Sequence, residues 1–151
     1  MGHSSASFYR SIKIIDLIFN FCEINIPKVN VLIFVAYFLA VKVDQKDSKI
    51  PYIDDVLVKM NFDCSKEEFL YFERMVFWKV LRGNAMIKTP YDQLGEIIAH
   101  LETSGEDVKL LKDVSLVILD RVSQNFYAFN QDPTKVASAI VLYARDFLSF
   151  S

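Results

Sequence analysis

Glu73 is a carboxylate set into an apolar helix face, and its surroundings decide what chemistry it can do. Phe69, Phe72, Val76, Phe77 and Val80 recur at helical spacing, and Glu73 stands four residues from both Phe69 and Phe77, within the same face. Burying an unpaired carboxylate is costly, so Glu73 must reach solvent at the edge of the face, meet a cation, or be kept for the backbone of another protein. Lys42 poses the matching question as the first charge after the apolar run Val31 to Val41. A lysine at a helix C-terminus complements the dipole and snorkels to water. Pattern alone favours that ordinary role, with Lys42 and Glu73 as an internal pair, and periodicity does not choose between this and a reserved contact.

The other reactive residue types are isolated. His3 and His100 stand alone, no nucleophile sits beside a base, no acids pair, and four glycines cannot build a phosphate cradle. The expectation is a chain that is not an enzyme, with no catalytic residue and no cofactor. His100 reads as a surface or C-terminal histidine. Trp78, opposite much of the apolar face, reads as the far side of a buried helix or an exposed contact. Cys22 and Cys64 have no CxxC spacing and no histidine cluster, which suits reduced core thiols and no metal.

The bulk properties agree with a chain built to fold. The 151 residues are 52% hydrophobic and 14% aromatic, with few glycines and prolines, so a core forms and long disorder is not expected. A net charge of −2, spread evenly, gives no footprint for nucleic acid. The longest apolar run has eleven residues, against roughly 18 for a membrane span, so no membrane partner is expected. The opening residues lack a signal-peptide pattern, and Ala6 occupies the position where myristoylation wants Ser or Thr. Reduced thiols suit an intracellular location, and with no basic cluster it stays open between nucleus and cytoplasm.

These residues need helices to position them. No alternating run bounded by turn residues argues for a strand, so the fold class is all-α. After a loose tail over residues 1–7, a helix is expected from about Ser7 to Cys22 with Ile12, Ile15, Phe19 and Cys22 on its inner face. Pro27 opens the next helix, to about Val43, which is apolar nearly all round and must be a hub with others packed about it. A short helix follows Pro51, and Ser65 with Glu68 forms a capping box for a helix that runs to about Arg82 and stops at Gly83. Thr89 and Pro90 open a helix through Ile97, Ile98 and Leu101, broken at Ser104 and Gly105. A helix from about Glu106 to Phe126 carries Leu110, Leu111, Val114, Val117, Ile118 and Val122, and Asp132 with Pro133 caps a last one to about Phe147.

The halves echo one another. Ile14, Ile15 and Asp16 precede Pro27 much as Ile118, Leu119 and Asp120 precede Pro133, which suggests two similar helical lobes. Four blocks, Val31 to Lys42, Pro51 to Leu57, Phe69 to Leu81 and Thr89 to Leu94, resemble the cyclin box in order and spacing. Val117 to Asp120 and Pro133 to Arg145 are similar to the start of the second cyclin lobe. The resemblance covers roughly residues 8 to 147. It implies a first lobe over 8–86 that lacks the box's first helix, and a partial second lobe over 87–151 that ends after its third helix.

By that resemblance the chain is expected to bind and switch on a cyclin-dependent serine/threonine kinase in cell-cycle control. Lys42 and Glu73 match the family's polar centre of the kinase-binding surface, and Val43 and Phe77 match its apolar anchors. A cyclin-fold scaffold that binds no kinase is the alternative. Aromatic abundance alone is the mark of a core rather than of a ligand pocket, so no small-molecule ligand is expected.

Overall fold

The computed structural model describes residues 4–44, 50–101 and 105–148. It is helical, with no strand among the described residues. The chain forms two compact units that divide between Ile87 and Lys88. His3 and Ser104 lie outside the described residues.

In the first unit, α1 (Ser5–Phe21) begins earlier than the pattern suggests, because the Ser4 side chain accepts a hydrogen bond from the Ser7 N–H and caps it. Residues 5 to 7, expected in the loose tail, are therefore helical, and Ser7 is buried. The inner face also differs from the expected one. Ser7, Ser11, Ile14 and Ile18 are buried, the expected Ile15 and Cys22 pack against the core partly buried, and Phe19 is half exposed. Apolar residues surround this helix on several sides, so periodicity alone could not phase it. The two serines supply small side chains on the buried stripe where α1 packs on α2.

A 3₁₀ turn (Ile26–Lys28) carries Pro27 and leads into α2 (Val29–Asp44). Phe38, Leu39, Ala40 and Val41 are buried in succession, which requires neighbours on every side, and α1, α4 and the segment after α4 provide them. The stretch Ile26–Asp44 has 19 residues and is long and apolar enough to cross a membrane by length and composition. The expectation that no segment reaches that length is corrected: Lys28 and Asn30 interrupt the apolar run without making the whole stretch polar. In this fold the same apolarity forms the hub of the first unit.

The short helix α3 (Ile53–Met60) packs on α4 (Lys66–Met75). The Ser65 hydroxyl accepts from the Glu68 N–H at 3.1 Å, and the Glu68 carboxylate also reaches Lys28 at 2.9 Å. That pair depresses Glu68 below the ordinary carboxylate range, with the Lys28 hydrogen bond as the main cause.

The second unit contains α5 (Pro90–Ala99), α6 (Gly105–Ser123), the single turn α7 (Phe126–Phe129) and α8 (Pro133–Phe147). Thr89 and Asp92 form a reciprocal capping box at α5, and the Asp132 side chain caps α8. Helix α6 stops three residues before the expected Phe126, and its inner stripe is Leu111, Ser115 and Leu119, with Leu110 and Val117 exposed. Helix α8 is packed by α5, α6 and α7 through a face that includes Ala137, Ile140, Val141 and Ala144.

Candidate functional site

The four residues singled out in the sequence meet in the first unit. Helix α2 carries Lys42 and Val43 at its C-terminal end, where a lysine also complements the helix dipole. Helix α4 carries Glu73, and Phe77 follows one turn later. Between Val76 and Val80 the helix widens into a π turn, in which the Leu81 N–H donates to the Val76 carbonyl at 3.0 Å. Such turns are uncommon and often accompany functional sites.

The widened turn is closed by Gly83. Its φ of +79° is one that side chains rarely adopt, and its N–H donates to the Phe77 carbonyl at 2.9 Å. A Cβ there would meet the Trp78 ring at 3.1 Å, so the exposed indole lies against the stop. Trp78 also packs edge-on against Phe77, with ring centroids 5.0 Å apart.

Lys42 Nζ donates to Glu73 Oε1 across 31 residues of sequence. The two ends of the pair differ in environment: the Lys42 side chain is 39% exposed and that of Glu73 only 11%. The ammonium also lies 4.7 Å from the centroid of the Phe38 ring, a favourable cation–π distance. Around the pair Leu39, Val43, Arg74, Phe77 and Ala85 line an open concavity of about 360 Å³. Its lining is four apolar residues, the ion pair and Arg74, with neither a histidine nor a hydroxyl or thiol nucleophile among them.

Lys42, Val43, Glu73 and Phe77, named from the sequence, line the concavity together with Leu39, Arg74 and Ala85, which were not named. Leu39 and Arg74 could have been found, lying three residues before Lys42 and one after Glu73. Ala85 follows the Gly83 turn and has no periodic signal. A second polar cluster was missed altogether. Arg10 is buried, its Nε and Nη2 bond Asp44 at 3.0 and 2.8 Å, and Nη1 donates to the Ile87 carbonyl. This fork ties α1 to the last residue of α2, next to Lys42 and Val43.

The remaining candidates lie apart from the concavity. His100 Nδ1 stands 2.6 Å from the Glu96 carbonyl at the end of α5. Cys22 and Cys64 are unpaired and partly buried, and burial pushes both thiols up. Among the described residues no three His, Cys, Asp or Glu side chains cluster as a cation site. No family model and no curated protein matches the chain.

Proposed function

We propose that this chain is a cyclin-like regulatory subunit that binds and activates a cyclin-dependent serine/threonine protein kinase. The observation that carries the reading is the convergence of Lys42, Val43, Glu73 and Phe77 on one concavity, from two helices distant in sequence. These are the positions that the cyclin resemblance assigns to the kinase contact. An ammonium has three donors and a carboxylate several acceptor positions, so the pair retains bonding capacity for a partner's backbone after meeting itself. Val43 and Phe77 flank it as apolar anchors, the arrangement from which interface energy usually comes. Activation would follow by holding the kinase's mobile helix in its active position, a shift of population with no chemistry from this chain.

A second reading has its own support. Lys42 and Glu73 satisfy each other internally, as an ordinary structural pair would, and this favours a cyclin-fold scaffold that binds no kinase. A pull-down from the source cells separates the two, using wild-type chain and a Glu73→Ala variant of equal helicity by circular dichroism. Recovery of a serine/threonine kinase by the wild type alone, with phosphotransfer stimulated on adding the wild type, supports the regulatory reading. An assembly without kinase, the same with both proteins, overturns it.

A further inference from the structure

The second unit contains a concavity of about 330 Å³ between α5 and α6, within the size range of small-molecule sites. Its walls are apolar, with Leu94 and Ile98 from α5 and Val108 and Leu116 from α6. Two features set it apart from an ordinary packing gap. Ser115 lines it, is fully buried, and its Oγ has no hydrogen-bond partner. A helical serine ordinarily bonds a carbonyl one turn back, and a buried hydroxyl left without a partner is destabilising. Gly95, on the α5 side, is exposed and stands in mid-helix where alanine would be more favourable, and a Cβ there would meet nothing within 4 Å, so the concavity opens to solvent beside it.

Lys112 supplies the charge. It lines the same concavity, is exposed, and has no ion-pair partner among the described residues. Residues three apart on a helix are neighbours, about 5–6 Å between Cβ atoms, so Lys112 and Ser115 can converge on one acceptor group. Asp92 also lines the site, its carboxylate engaged with the N–H and hydroxyl of Thr89. An anionic ligand would therefore point its charge toward Lys112 and away from Asp92.

We propose that this concavity binds a small monocarboxylate with an apolar body, of the size of octanoate or 4-phenylbutyrate. The apolar body fills the space beside Gly95, the Ser115 hydroxyl donates to the carboxylate, and Lys112 meets it at the rim. This departs from the sequence-based expectation of no small-molecule ligand, and it is independent of the kinase reading, since all its residues lie in the second unit.

The test uses the full chain, titrated with octanoate, 4-phenylbutyrate and the neutral 4-phenylbutan-1-ol under amide-detected NMR. The expected result is saturable shifts centred on Gly95 and Ser115, with 4-phenylbutyrate bound about tenfold more tightly than the alcohol, as a hydrogen bond to a charged group implies. Lys112→Gln should bring the two probes level, and Ser115→Ala should weaken the carboxylates several-fold. Gly95→Leu, which grows into open space and keeps the helix by circular dichroism, should abolish binding. Absence of saturable shifts at millimolar probe, equal binding of acid and alcohol by the wild type, or indifference to Gly95→Leu would overturn the proposal.

Discussion

Replacing Lys42 by methionine keeps most of the apolar stem and removes the charge, leaving Glu73 without its partner. Breaking a fully buried pair costs about 3–5 kcal/mol, and an exposed pair contributes about 0–1 kcal/mol. The pair lies between these limits, with side chains 39% and 11% exposed, and water at the lysine end screens it. Discounting for that exposure, Lys42→Met should cost about 1–2 kcal/mol, because the stranded group is the buried one. Glu73→Gln should cost less, about 1 kcal/mol at most, since the remaining lysine reaches solvent and can still bond an amide oxygen. The double variant should recover part of the loss, with a coupling of about 0.5–2 kcal/mol. Trp78, the only tryptophan, lies in the first unit, so its fluorescence during urea unfolding reports the unit that carries the pair. A Glu73→Gln cost equal to or above that of Lys42→Met, or a coupling indistinguishable from zero, would refute the assignment of Glu73 as the buried end of the pair.

Two further predictions concern the charges that brace this unit. Arg10→Met should destabilise it by about 3–5 kcal/mol in the same assay, since it strands Asp44. Arg10→Lys should fail to rescue, because a lysine cannot reproduce the fork to Asp44 and the Ile87 carbonyl. Glu68, held low by Lys28, confers stability that is present above the ordinary carboxylate pKa and lost as pH falls through its lowered folded value. Lys28 is raised by the same bond, so its contribution is full below the ordinary lysine pKa and lost as pH rises through the raised one. Lys28→Gln should return Glu68 to the ordinary range in an NMR titration and flatten the acid limb; an unmoved Glu68 would refute the pairing.

Much of the architecture was legible because the signals were local. Thr89, Ser65 and Asp132 cap helices at the expected positions, since a side-chain oxygen meeting an N–H three residues on is a short-range event. The hub was legible from composition, because a helix apolar on all sides has no solvent face. The phase of α1 and α6 was not. Both carry more apolar residues than one face holds, and small polar ones, Ser7, Ser11 and Ser115, occupy the inner stripes instead. Which residues of such a helix turn inward depends on the neighbour it meets, and the helix's own periodicity does not carry that. The Arg10 fork was hidden for the same reason: its partners lie 34 and 77 residues away, and no periodicity links them.

Under the proposed function, the Lys42–Glu73 pair matters through what docking would change. A partner that covers the concavity removes water from a lysine 39% exposed, whereas Glu73 at 11% has already lost most of its own. The larger part of the carboxylate's desolvation is thus met during folding, and the Lys42 bond holds it in place. A partner's backbone N–H would meet an acceptor that needs no reorientation, which reduces the ordering cost of association. The same economy of motion applies to Phe77, fixed against Trp78 by ring packing and at its carbonyl by the Gly83 N–H. If the surface serves a partner, loosening the π turn should weaken binding more than it weakens the fold, because the turn positions the anchor while the core below it, from Phe69 to Val76, remains packed.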